Sequence, residues 1–198
     1  MVHNKIVEID GGEAESLFKP VLAELRRRTQ ERFPLPDGER LEIQMVGDKS
    51  WAANNQYLEN LRSCIQINCD LHFHITTLAA LMAHEGYPGH HTETANMEAR
   101  LVNKKGYLEF STALLYSPGS VVAEGIAMQA LSTIMTNEEW IEWHTYEIFP
   151  RAKKEDLDAR QEWEMLNIFR QFMHGILGNA AIMFHDLGAN NQEVMDYL

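Results

Sequence analysis

The chain has 198 residues, 45% of them hydrophobic and 23% charged, with a formal net charge of −12. That length is enough to bury a real core as a single domain spanning residues 1–198. The negative charge disfavours binding to nucleic acid and to anionic membranes, because both are polyanions. The one basic run, Arg26-Arg27-Arg28, meets Glu31 on the next helical turn.

In chain order, Met1 to Glu15 shows no apolar stretch behind a basic start, so no signal peptide is expected. Glu13 to Arg32 reads as an amphipathic helix with Leu17, Val21, Leu22 and Leu25 on one face. Pro34, Pro36 and Asp37-Gly38 end it in a turn. Leu41, Ile43 and Met45 alternate with Glu42, Gln44 and Val46 as a half-buried strand, and residues 47–56 read as a polar loop. Ile65, Ile67 and Cys69 alternate with Cys64, Gln66 and Asn68 in a second strand. That strand puts Cys64 and Cys69 roughly 16 Å apart on opposite sides, too far to pair locally. Free thiols fit a reducing cytoplasm, so a cytoplasmic protein is expected.

From Thr76 onward the chain reads as nearly all helix. Leu78 to Ala83 is apolar on every side, the signature of a buried helix. Thr92 to Val102 follows as another, and Ser117-Pro118 offers a cap and a first-turn proline for a helix reaching about Met135. Asn137 before Glu138-Glu139 opens the next. A long helical stretch follows Pro150 with an interruption near Gly175 to Gly178, and Asn190 or Asn191 caps a last short helix. That helix stops at Leu198 without Gly or Pro, which suggests a fragment of something longer. His3 and His144 read as surface or rim residues. The longest apolar run is far too short to cross a bilayer.

The chemistry concentrates in His84-Glu85-Gly86-Tyr87-Pro88-Gly89-His90-His91. A histidine and a carboxylate at the end of a buried helix are costly unless paired or bound to metal. In the zincin pattern H-E-x-x-H two histidines one turn apart reach the metal, and the glutamate activates its water. Here position 88 is proline. On a straight helix His91 would lie about 10.5 Å along the axis from His84, and His90 roughly 120° off the face. Pro88 has no N–H for the carbonyl of His84 and clashes with it, so the helix must kink or break, and Gly89 adds backbone freedom. Two looped-out residues then bring a later histidine, His90 or alternatively His91, back beside His84. Glu124 is the best third ligand: it shares a helix face with Met128, Leu131 and Met135, a lone carboxylate on an apolar face, and Gly125 permits another helix to approach. Asp70, His72 and His74 belong instead to the strand-to-helix turn.

These residues resemble the H-E-x-x-P-G-H-H hallmark of a bacterial domain-of-unknown-function family, number 885, itself similar to the glutamate-liganded zincin metallopeptidases. The family's downstream Glu-Gly-x-Ala motif is matched by Glu124-Gly125-Ile126-Ala127, and the segment Trp51 to Leu71 resembles the branch with Glu-Gly-Tyr in the histidine motif. The resemblance covers about Trp51 to Leu198, and family members are usually much longer. It implies a mainly α (α+β) zincin-like domain, with a short β-sheet beside the active-site helix and zinc held by two histidines and a glutamate. It favours His90 over His91, because Pro-Gly-His is the firm part of the motif.

The expectation is a zinc metallopeptidase or carboxypeptidase-like hydrolase, with one Zn2+ held by His84, His90 and Glu124 and with Glu85 as general base. Tyr116, Arg170 and His174 are candidates for contacting the substrate or the transition state, and the strand Arg62 to Asn68 is a candidate edge for an extended peptide or small amide substrate. A homo-oligomer is expected from uncovered apolar surface. Two rivals are a non-haem iron enzyme using the same His-His-Glu set and an inactive helical module with a structural metal site.

Overall fold

A computed structural model of the chain describes residues 8–173 and 175–198, the side chains of residues 169–173 and 177 excepted. The fold is mainly α with short β-sheets, as the sequence predicts. The chain forms two compact units, Met1–Glu155 and Asp156–Leu198. Among the described residues no helix is long and apolar enough to cross a membrane.

The first unit opens with strand β1 (Glu8–Ile9) and helix α1 (Gly11–Arg32). The helix starts two residues before Glu13, the expected start, because Asp10 caps it. The Asp10 carboxylate accepts from the Glu13 amide at 2.8 Å, and Glu13 reaches back to the Asp10 amide. Leu17, Val21, Leu22 and Leu25 are buried, as their spacing predicts, together with Phe18. All three arginines of the basic run are engaged by acids: Arg26 by Glu39, Arg27 by Glu24 and Glu31, and Arg28 by Glu24 and Glu139.

Strands β2 (Arg40–Val46), β3 (Ala53–Tyr57) and β4 (Arg62–Asn68) form a sheet in the order β2-β4-β3. β4 runs parallel to β2 and antiparallel to β3. Two sequence expectations are corrected here. β3 occupies what reads as polar loop, because Ala-Asn-Asn-Gln-Tyr has no apolar alternation; the hydrogen bonds of β4 hold it in place. The strand expected as a free edge, Arg62 to Asn68, is the central one, with Ser63, Ile65 and Ile67 buried. The edge beside the helices is β3. A second small sheet pairs β1 with β5 (Phe73–His74).

After a 3-10 turn at Ile75–Thr77, helix α2 (Leu78–Glu85) runs through the core with Leu78, Ala79, Met82 and Ala83 buried. It packs against α1 and α4. Helix α3 (His90–Met97) passes into a π-helical segment, Glu98–Asn103, so the helix expected over Thr92 to Val102 starts earlier and ends in wider turns. Helix α4 (Pro118–Ile134) has its cap on Ser117, whose hydroxyl accepts from the Ser120 amide. Ala127, Ala130, Leu131 and Ile134 form its buried stripe. Thr136, one residue earlier than the predicted start, caps α5 (Asn137–Trp143), which continues as a π-helical segment His144–Ile148 into α6 (Phe149–Arg151). The long helical stretch expected after Pro150 begins only at Ala159, after α6 has ended at Arg151.

In the second unit, α7 (Ala159–Met173) and α8 (Ile176–His185) meet at Gly175, whose φ of 84° lies in the left-handed region that favours glycine. Among the described residues the predicted interruption falls at Gly175, and Gly178 lies inside α8. Asn190 caps α9 (Asn191–Tyr197) by accepting from the amides of Gln192 and Glu193.

Candidate metal centre

The last turn of α2 delivers His84 and Glu85, and the chain then reverses through residues 86–89 to start α3 at His90. The Gly86 amide donates to Met82 O and closes α2, while the Gly89 amide reaches back to Ala83 O, each at 2.9 Å. Pro88 thus accompanies a full break and not merely a kink. Gly89 is required for space more than for freedom. A Cβ built there would lie 2.0 Å from His84 O and 2.5 Å from Ala83 O, because the returning chain passes directly over the end of α2.

This crossing sets the two imidazoles edge to face, with ring centroids 4.7 Å apart. Glu124, carried in by α4, lies against both: His84 Nε2 is 3.3 Å from Oε2, and His90 Nε2 is 3.3 Å from Oε1. The three donor atoms all lie within 4.8 Å of one another. Four ligands set tetrahedrally about zinc at roughly 2.0–2.1 Å are about 3.3–3.4 Å apart. Each nitrogen–oxygen separation has that length, though to a different oxygen of the one carboxylate, and two imidazoles with a carboxylate are donors that zinc accepts, so the donor set suits the ion. Burial and the neighbouring His90 push the His84 imidazole below its ordinary range against the pull of Glu124, which favours the proton-free ring that a metal needs.

Glu124 departs from expectation in one respect. Its side chain is 61% exposed, against 21% for His84, and Met128 on the same face is exposed as well. The apolar stripe lies one turn on, at Ala127, Ala130 and Leu131, which places Glu124 at the rim of the helix contact. Gly125 faces open space and not another helix.

Glu85 is buried. Burial raises its carboxyl above the ordinary range, His90 and the Asn55 backbone pull it down, and Glu124 adds to the rise. Asn55, on edge strand β3, also donates its side-chain amide to the Glu85 carbonyl at 2.5 Å. Strand β3 therefore touches Glu85 directly. Glu93, one turn after His90, is half-buried; burial raises its carboxyl, with His90 opposing and Glu124 reinforcing. Its i,i+3 spacing from His90 is a signal that sequence reasoning passed over.

His91 faces the other way. It is fully buried, with Nε2 2.8 Å from Glu39 Oε2 and Nδ1 2.7 Å from Ser63 Oγ. Both ring nitrogens are engaged outside the His84–His90–Glu124 cluster. Tyr87 donates to the same Glu39 oxygen at 2.6 Å, and Arg26 Nε donates to Oε1 at 2.8 Å. Burial pushes the Glu39 carboxyl up, but the bonds from His91, Tyr87 and Arg26 outweigh it and hold the group at about 2.

The other predicted residues are spread elsewhere. Tyr116 is fully exposed, with φ at 58°. Arg170 lies in α7 with its side chain outside the described ones, and His174 and His3 lie outside the described residues. Asp70 accepts from the Asp48 amide, His72 faces Glu8 and His74 bonds Thr76. Cys64 and Cys69 are free thiols. His144, expected at the surface or rim, is fully buried: it follows buried Trp140 by four residues at the end of α5 and shares its face, with rings stacked at 3.6 Å. Comparison with protein-family models, curated proteins and solved structures finds no match to this chain.

Proposed function

We propose that the chain is a zinc-dependent hydrolase of the zincin metallopeptidase type, related to domain-of-unknown-function family 885 through its H-E-x-x-P-G-H-H and Glu-Gly-x-Ala motifs. The observation that carries this reading is the convergence of His84 Nε2, His90 Nε2 and the Glu124 carboxylate beside a buried Glu85. His84, His90 and Glu124 would hold one zinc ion. Zinc bound there would lower the pKa of a water molecule and polarise the scissile carbonyl. Glu85 takes the proton from the attacking water and delivers it to the leaving amine, a task suited to a carboxyl raised above its ordinary range. The edge strand β3, in contact with Glu85, is the strand that an extended peptide would join, in place of the central β4.

The substrate class is a peptide or small amide, acted on in the cytoplasm. Self-association is also part of the proposal, since Leu114, Leu115, Val121, Val122 and Met128 are exposed on the first unit. Light scattering that finds a clean monomer at high concentration removes that last element.

Elemental analysis of protein purified without chelator tests the core of the reading. About one zinc per chain is expected from a single three-ligand site, together with chelator-sensitive cleavage of members of a short-peptide library. Protein that stays metal-free after incubation with zinc, or that carries iron in its place, overturns it.

A further inference from the structure

Burying a carboxylate is costly unless each oxygen is satisfied by strong donors. The Glu39 side chain is 1% exposed, and its two oxygens serve different parts of the fold. Oε1 receives Arg26 from α1. Oε2 receives two donors, the Tyr87 hydroxyl and the His91 ring, both from the turn that carries His90. A carboxylate needed only to fasten residues 37–39 to α1 would be served by Arg26 alone.

Tyr87 and His91 bracket Pro88-Gly89-His90. The two rings also pack edge to face, with centroids 5.1 Å apart, and Ser63 on β4 fixes the far side of the His91 ring. His90 is therefore one peptide bond from a side chain held at both nitrogens. Ligand atoms must meet a metal within about 0.2 Å of its preferred distances, and His90 begins a helix whose preceding residues are outside the regular i→i−4 ladder.

We propose that Glu39 is the positioning residue of the metal centre: by clamping Tyr87 and His91 it fixes the looped-out turn so that His90 meets His84 and Glu124. This rests on the reading of those three residues as metal ligands. Nothing in the clamp touches metal or substrate; its effect passes through the backbone of residues 87–91.

The test compares Glu39→Gln, Tyr87→Phe and Ser63→Ala with the parent and with Leu17→Ala, a variant cut in the buried face of α1. Each protein is stripped of metal, its fold is checked by circular dichroism and urea unfolding, and its affinity for zinc is measured by chelator competition. The visible absorption of the cobalt form then reports ligand geometry. Glu39→Gln should bind zinc 10–100-fold more weakly, with an altered cobalt spectrum. Tyr87→Phe and Ser63→Ala should each lose on the order of tenfold. Leu17→Ala should lose stability yet bind zinc as tightly as the parent. If Glu39→Gln fails to fold, Tyr87→Phe and Ser63→Ala decide the matter alone. Clamp variants that bind zinc like the parent, with an unchanged cobalt spectrum, overturn the clamp and leave the metal centre standing. A parent protein that binds no zinc overturns both readings together.

Discussion

Replacing Gly89 by alanine tests whether the crossing of α2 and α3 builds the proposed metal centre. An added Cβ would sit 2.0 Å from His84 O and 2.5 Å from Ala83 O, whereas ordinary contact begins at 3.4 Å. The methyl group and the His84 carbonyl must therefore separate by about 1.4 Å (3.4 less 2.0). Both obstacles are backbone, so no side chain can swing aside. Overpacking of this kind costs about 1–3 kcal/mol and occasionally more, and with two backbone clashes the upper end is expected. Any relief moves His90 away from His84, and a shift near 1 Å is several times the roughly 0.2 Å tolerance of a metal site. Gly89→Ala should therefore lower zinc affinity 100-fold or more and destabilise the metal-free protein by about 3 kcal/mol. Gly125→Ala is the matched control: nothing lies within 4 Å of its Cβ, and in an exposed helix interior it should be neutral or gain about 0.5–1 kcal/mol. Gly86→Ala falls between them, because two of its three close neighbours are the mobile ends of Leu22 and Leu41. Urea unfolding and chelator competition on the three variants provide the comparison. A Gly89→Ala protein as stable as the parent and equally tight for zinc would refute the reasoning.

Other outcomes follow from the same geometry. Glu85→Gln should retain zinc and lose on the order of 10² or more in hydrolytic rate; loss of zinc would make Glu85 a ligand. His90→Ala should weaken zinc binding far more than His91→Ala, whose effect should stay within about 10–100-fold, and the reverse order would invalidate the assignment of the two rings. His144 should govern part of the acid limb of stability. Burial outweighs its bond to Trp140 O and holds its native pKa at about 3, against about 6.5 in the unfolded chain. The unfolded chain takes up the proton first, so this contribution is complete above pH 6.5 and is lost as pH falls toward 3, about 4–5 kcal/mol in all. His144→Phe should flatten urea-unfolding stability across that window, and an unchanged acid limb would count against the burial argument.

What could be read in the sequence was what local chemistry decides. Ser117-Pro118 announced α4 because the hydroxyl cap and the missing N–H act within one turn, and the apolar face of α1 followed from its spacing. The sequence also singled out His84, His90 and Glu124, whose donor atoms the fold brings together. β3 was missed because an edge strand of Asn and Gln has no periodic signal and owes its conformation to the Ala53–Ile67 register with β4. The buried His144 was missed because its face is that of Trp140, four residues earlier, whose burial rests on tertiary packing and not on a local pattern. Glu39 was invisible for a plainer reason: its partners lie 13, 48 and 52 residues away in the chain, and no local pattern links them.

The doublet His90-His91 acquires a physical sense from the broken helix. In an unbroken H-E-x-x-H helix, the i→i−4 bonds that run between the two histidines also fix their relative position, and no further device is required. Here the chain leaves α2 after Glu85 and re-enters helix at His90, so those bonds cannot set the distance between His84 and His90. Side chains have to supply what the backbone ladder does not. Consecutive residues of a helix point about 100° apart, so when His90 faces Glu124 on α4 its neighbour is turned away from that cluster, here to Ser63 on β4 and to Glu39. One histidine is thus presented to the proposed metal position and the other bolts the helix start to the sheet. On this reading the cost of burying Glu39 is offset by the rigidity it gives to a turn that has no ladder of its own, and the Pro-Gly break and the second histidine are two halves of one solution.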